Sequence, residues 1–183
     1  MAEPTPEAAD ELVVIVDADN RPTGVVRRSV MRAKGLRHRA TAIFVFDRKG
    51  RLFVQRRTDT KDIFPGMLDL AAGGVVVAGE SYEECAVREL AEELGVIDIP
   101  LEAVFDSYYC DAGEGGGPPN RLWSRVFICR HDGPFRLQPE EVASGEFVAL
   151  PEILADDAAR YTPDTFKALR ELLERGVLPT AAS

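Results

Sequence analysis

Apolar and polar positions along this chain fall into runs that set out its elements before any residue is given a role. Leu12 to Val16 is a short apolar run, Asp17-Ala-Asp-Asn20 has turn chemistry, and Gly24 to Arg28 is placed to pair back as a hairpin. A second hairpin signal comes from Ala40 to Asp47 and Arg51 to Arg56, which flank the turn Arg48-Lys-Gly50. Ser81 to Leu94 is the clearest helix. Ser81 with Glu84 makes a capping box at its start, and Gly95 is a C-terminal stop. Val87, Leu90, Ala91 and Leu94 recur at i, i+3, i+4 and i+7, which predicts one buried stripe. Leu101 to Tyr109 and Leu122 to Cys129 read as strands. Between them, Asp111 to Asn120 is too rich in Gly and Pro for regular structure. Gly145 to Leu150 is a short final strand. Pro163 to Arg175 is a second helix, with Thr162 as N-cap and Gly176 at its end. Strands mixed with two helices predict an α/β layer fold.

Composition narrows this picture. A chain of 183 residues suits one domain with one core. The acidic, Pro/Ala-rich start from Met1 to Glu11 reads as a disordered lead, and residues 12–183 as the single domain. With 45% hydrophobic and 29% charged residues the chain is of ordinary globular type, and no apolar run has transmembrane length, so no membrane partner is expected. No basic n-region or apolar h-region marks a secretory signal, so cytoplasmic residence is expected. Cys85, Cys110 and Cys129 are an odd count without C-x-x-C spacing, which argues against a disulfide framework and against structural zinc. A formal net charge of −9 repels a polyanion such as DNA, so no nucleic acid partner is expected. A small phosphorylated substrate remains compatible if metal ions or clustered Arg and Lys supply local positive charge.

The chemistry lies between Gly73 and Val96. Glu89, Glu92 and Glu93 stand at i, i+3 and i+4 on the predicted helix, so one turn gathers three carboxylates on one side. Like charges so placed repel one another, and a divalent cation would offset that cost. Hard oxygen ligands suit magnesium, or manganese, completed by water and phosphate oxygens. The loop Gly73 to Gly79 can take unusual backbone angles and present a carbonyl to such a site. A second patch, Arg56, Arg57 and Lys61, lies before the loop. Arg offers bidentate contact to phosphate and Lys a point charge, which makes these three the expected substrate-binding residues. A third basic stretch, Arg27 to Arg39, reads first as a solvated surface and second as a steering patch.

The whole segment resembles the Nudix box, G-x5-E-x7-R-E-U-x-E-E-x-G-U, with U a bulky aliphatic. Gly74, Glu80, Arg88, Glu89, Leu90, Glu92, Glu93, Gly95 and Val96 fill its specified positions. A chance match in a chain of this length is on the order of one in ten million. The resemblance implies the Nudix fold, an α/β/α sandwich with a mixed sheet. It implies Glu89, Glu92, Glu93 and the Gly73 carbonyl as metal ligands, with Glu89 or Glu93 also available as the catalytic base. It implies an Arg88–Glu80 ion pair that fixes the loop against the helix.

His38-Arg-Ala, Phe44-Val-Phe46, Gln55-Arg-Arg57, Lys61 and Phe64-Pro-Gly66 further resemble the branch that contains isopentenyl-diphosphate isomerases. In that branch the positions of Arg57, Lys61 and Arg88 bind diphosphate, and that of His38 ligates metal. The position of the isomerase catalytic cysteine is Gly73 here, and that of a metal-binding histidine is Val75. Gly73 cannot move a proton to or from carbon.

The resemblance thus implies magnesium-dependent hydrolysis of a diphosphate linkage, with nucleoside diphosphates or their derivatives as the default substrate. Isomerase-like activity and a non-catalytic ligand-binding module are the alternatives. Outside the box, Glu140, Glu141 and Glu146 are further candidate bases. The loop 111–120 is either a lid or an idle surface loop. Trp123 and Phe127 are open to packing in the core or in a homodimer interface.

Overall fold

The structure, a computed structural model, describes residues 9–113 and 117–178. Strands β1 (Leu12–Val16) and β2 (Pro22–Arg27) precede a short helix α1 (Arg28–Ala33). Then come β3 (His38–Phe46), β4 (Leu52–Arg57), β5 (Leu68–Asp69) and helix α2 (Tyr82–Leu94). The chain continues through β6 (Glu102–Cys110), β7 (Arg121–Arg130), β8 (Val142–Val148), helix α3 (Leu150–Ala155) and helix α4 (Pro163–Glu174).

Side-chain alternation along the central strands explains why the sheet is covered on both faces. Ala42, Phe44 and Phe46 of β3 and Val126 and Ile128 of β7 point into one core, closed by Ile153 of α3 and by Ala168, Leu169 and Leu172 of α4. Ile43 and Val45 of β3 and Phe127 and Cys129 of β7 point into the other, closed by Cys85, Ala86, Leu90 and Leu94 of α2. The result is a mixed sheet between two helical layers, as the sequence predicts. β3 and β7 pair in parallel from His38 opposite Leu122 to Phe46 opposite Arg130, and the other pairings between these strands are antiparallel. Each fully buried Leu, Ile or Phe contributes about 1.5–3 kcal/mol. Phe127 lies in the core, whereas Trp123 is half-buried against Tyr108, ring centroids 5.1 Å apart.

Four details differ from the pattern read in the sequence. The second hairpin pairs only at its base, Phe46 with Leu52. Beyond that point Ala72 to Val76 bonds along β3, and β4 turns to β8. On α2, Val87 is 55% exposed and Ala91 half-buried, while Tyr82, Cys85, Ala86, Leu90, Glu93 and Leu94 face inward. The helix is rotated so that a glutamate, Glu93, shares the covered face. Thr162 flanks α4, but its hydroxyl donates to Asp69 Oδ1 (3.1 Å) and makes no cap. Two helices, α1 and α3, had no predicted counterpart. The first eight residues of the expected lead lie outside the described residues, as do residues 114–116 of the loop read as either a lid or an idle surface loop. No helix among the described residues is long and apolar enough to cross a membrane.

The N-terminal hairpin is fixed by a small third core. Val13 and Met31 are buried with Val75, which ties β1 and α1 to the loop before α2. A cavity of about 360 Å³ opens between α1, the loops after β4 and β5, the C-terminal half of α2 and the first turns of α4.

Candidate active site

Helix α2 begins as its sequence requires. The Ser81 hydroxyl accepts from Glu84 N–H, the Glu84 carboxylate accepts from Ser81 N–H, and Gly95 closes the helix in the left-handed region. The preceding loop is sewn to β3. Thr41 N–H donates to Gly74 O (2.9 Å), Ile43 N–H to Ala72 O (2.7 Å) and Val76 N–H to Arg39 O (3.0 Å). Gly73 has φ +149°, and a Cβ there would meet the Thr41 carbonyl oxygen at 2.1 Å. A Cβ at Gly74 would meet Glu89 Oε1 at 2.2 Å. Both glycines are therefore needed to bring backbone and carboxylate together.

Arg88 organises the acids around it. Its Nε and Nη2 donate to the Glu80 carboxylate at 2.8 and 3.1 Å, and its Nη1 reaches Glu89 (2.7 Å) and Glu92 (3.1 Å). The Glu80 and Glu89 contacts hold the Arg88 pKa above its ordinary value. Glu93 is only 2% exposed. Its Oε2 accepts from Gln55 Nε2 and from the Gly73 N–H, both at 3.2 Å, and its Oε1 lies 3.8 Å from Lys61 Nζ. Burial pushes the pKa of Glu93 up, against the pull of Lys61, and burial also raises that of Glu89.

The cations separate into two groups. Arg57 faces the cavity and donates to Asp69 Oδ2 (2.9 Å) and to the Ile63 carbonyl. Lys61 is bracketed by Glu93 and by Glu141, with which it is in direct contact. Arg56 does not join them. Successive strand residues face opposite sides, and Arg56 donates to Gly66 O (2.8 Å) beside a separate hollow. Of the candidate bases outside the box, Glu141 lines the cavity, whereas Glu146 lines that other hollow.

Gln55, Thr41 and Asp69, to which the sequence assigns no role, orient Glu93, the glycine loop and Arg57. Their signal is weak, because a polar residue within an apolar strand is equally expected at a solvent face. Arg28 and Arg32 belong to the stretch that reads first as a solvated surface. Both line the cavity.

Oxygen donors of this kind suit a hard divalent cation. Among the described residues, no three acidic, imidazole or thiol side chains surround one point. Magnesium does not require such a cage, since it keeps several waters and takes phosphate oxygens alongside one or two carboxylates. Glu89 and Glu93 supply buried carboxylates whose mutual repulsion such an ion would offset. The donor set fits on these grounds.

An α/β/α sandwich that holds helix-borne acids against a glycine loop, with cations facing them, defines a hydrolase of the Nudix fold. The family model of the NUDIX domain matches residues 36–172, and the chain belongs to the Nudix hydrolase family. It is 42% identical over 179 residues to an uncharacterized Nudix hydrolase of Yersinia pestis, covering 96% of this chain and 92% of the relative. It is 42% identical over 168 residues to the uncharacterized Nudix hydrolase YfcD of Escherichia coli strain K12, covering 92% and 89%. Among solved structures it is similar to DR0079 of Deinococcus radiodurans, with a TM-score of 0.69, 26% identity, and 90% of this chain and 98% of that one covered. The NUDIX domain of Shewanella oneidensis NrtR, complexed with ADP ribose, shares the fold, with a TM-score of 0.60, 15% identity, and 83% and 94% covered. Nudix hydrolases use divalent metal ions.

Proposed function

We propose that this protein hydrolyses a diphosphate linkage in a small phosphorylated molecule, with magnesium or manganese as cofactor. The observation that carries the reading is that Glu89 and Glu92 line one polar cavity with Arg57, Lys61 and Arg88, while the buried Glu93 lies 3.8 Å from Lys61 Nζ. A divalent ion held by Glu89, Glu92, Glu93 and the Gly73 carbonyl would supply a Lewis acid for phosphoryl oxygens and an acidified water.

The chain's own residues do the rest. Arg57 and Lys61 bind and orient the diphosphate, Arg57 as a fork pre-set by Asp69. Arg88 and Glu80 hold the helix and loop in register, so that Glu89 keeps its place beside Gly74. Glu141 takes the proton of the attacking water, since it reaches the cavity and is kept beside Lys61. Glu89 and Glu93 are the other acids able to take that proton.

Nucleoside diphosphates and their derivatives are the first candidates, and ADP ribose, bound by the Shewanella domain of the same fold, is of that class. The polar walls formed by Thr41, Ser107, Ser124, Asn120 and Gln138 favour a hydroxylated substrate over a prenyl chain. Alkene isomerisation is disfavoured at Gly73, where φ +149° and the nearby Thr41 carbonyl leave no room for a cysteine side chain.

The test is substitution of the acids. Glu92→Gln and Glu93→Gln are each expected to lose magnesium-dependent turnover by at least tenfold. Full turnover in both would overturn the reading. Tight binding of an unhydrolysed nucleotide in the presence of magnesium would favour a ligand-binding module instead.

A further inference from the structure

One wall of the cavity comes from the N-terminal segment. Arg28 and Arg32, one turn apart on α1, both face inward, with side chains 21% and 24% exposed. Asp62 reaches them from the loop after β4. Its Oδ2 lies 3.3 Å from Arg32 Nε and 3.7 Å from Arg28 Nη2, and the side chain is 16% exposed. Arg32 also donates to Asn120 Oδ1 (3.1 Å), and Arg28 pairs with Glu11 (3.2 Å). Arg28 Nε is buried without a partner among the described residues.

Burial alone would raise the Asp62 pKa, yet Arg32, Arg28, Lys61 and Arg57 together hold it below the ordinary value. Arg57 is itself paired with Asp69, and Lys61 with Glu93 and Glu141, so among the described residues Asp62 is the carboxylate that Arg28 and Arg32 share. Burial lowers the Arg32 pKa to about 10, so this guanidinium remains charged at neutral pH in a poorly hydrated position. A desolvated guanidinium fork is well matched to a phosphoryl group.

We propose that Arg28 and Arg32 form a second anion subsite of the cavity, in which the Asp62 carboxylate is a resident occupant that a phosphoryl group of the substrate displaces. This rests on the hydrolase reading for its ligand, and it deepens it. The substrate would carry a phosphoryl group beyond the pair that Arg57 and Lys61 hold. Asp62 acts as a built-in competitor, so the subsite keeps its cations paired until an anion arrives. The competing explanation is a structural clamp, in which Asp62 merely pins α1 to the loop after β4.

The two differ in sign. The probe is inorganic phosphate, titrated calorimetrically into the full chain in EDTA at low ionic strength. Arg28→Gln and Arg32→Gln are each expected to weaken phosphate binding about tenfold, the cost of one charged hydrogen-bonding partner. Asp62→Asn, which keeps the shape and removes the competing charge, is expected to tighten it about tenfold. A folded Asp62→Asn protein that binds phosphate no tighter than wild type overturns the proposal. So does equal affinity in wild type, Arg28→Gln and Arg32→Gln, since phosphate would then sit only at Arg57 and Lys61. Should Asp62→Asn fail to fold, Arg32→Lys decides. Affinity between wild type and Arg32→Gln supports the subsite, and affinity equal to wild type overturns it. Because no turnover is read, loss of the hydrolase reading would leave this result standing, and the reverse holds too.

Discussion

Gly73 and Gly74 are neighbours, but substitution by alanine should damage different things. Gly74 has no left-handed φ, so alanine suits its backbone, but the new Cβ would stand 2.2 Å from Glu89 Oε1 and 2.4 Å from its Cδ. Ordinary contact begins at 3.4 Å, so the carboxylate must retreat by about 1 Å from a place fixed by Arg88. A misplacement of that size in a reacting constellation costs about 100-fold in rate, or about 2.7 kcal/mol of barrier. No apolar contact is lost, so stability should change by less than about 1 kcal/mol. Gly73→Ala instead drives a Cβ to 2.1 Å from the Thr41 carbonyl oxygen at φ +149°. Backbone strain and overpacking there cost about 1–3 kcal/mol, and Tm falls by several degrees. Thermal unfolding and magnesium-dependent kcat, measured on both proteins, check this. A Gly74→Ala protein with wild-type turnover, or with a Tm depressed as far as that of Gly73→Ala, would refute the placement of Glu89.

Leu90→Ala removes a fully buried side chain from the core under α2 and should cost about 2–5 kcal/mol in urea unfolding, with m unchanged. Burial and the charge of Arg32 hold the His38 pKa down at about 3, against 6.5 when unfolded. Above pH 6.5 both states are neutral and the residue has no effect. As pH falls below 6.5 the unfolded state gains a proton that the folded state refuses, so stability declines toward pH 3 by up to about 1.4 kcal/mol per unit. In His38→Gln that slope should be shallower, by denaturant titration between pH 4 and 7 with EDTA present, while Arg28, Arg32 and Asp62, which also act on His38, are common to both proteins. Magnesium at a hundred times its Kd should stabilise the wild type by about 2.7 kcal/mol in thermal unfolding, and Glu89→Gln by less. Equal gains would argue that the ion binds elsewhere.

Much of this molecule was legible in its residues because local signals and global packing agree. The capping box at Ser81 and Glu84 and the stop at Gly95 mark both ends of α2 by local signals. The acids one turn apart follow from helical geometry alone. What the sequence concealed depends on long-range pairing. Nothing in the run Ala40 to Phe46 says that its partner is β7, some eighty residues on, and not the adjacent β4. The inward face of α2 was misjudged because Val87 is apolar and Glu93 charged, yet Glu93 takes the buried place by accepting from Gln55 and Gly73. Arg56 and Arg57 are equivalent in composition, and the strand's alternation divides them. Arg28 and Arg32 looked like surface until Met31 and Val13 turned α1 against the cavity.

The most direct test of the central claim is a hydrolysis screen followed by phosphorus NMR. The panel holds nucleoside di- and triphosphates, nucleotide sugars, dinucleotides and isopentenyl diphosphate, each with magnesium and with EDTA. The account predicts cleavage of a diphosphate linkage in one class, dependent on magnesium and lost in Glu93→Gln. Cleavage that survives EDTA or the Glu93→Gln substitution, or isomerised isopentenyl diphosphate with every linkage intact, would contradict it.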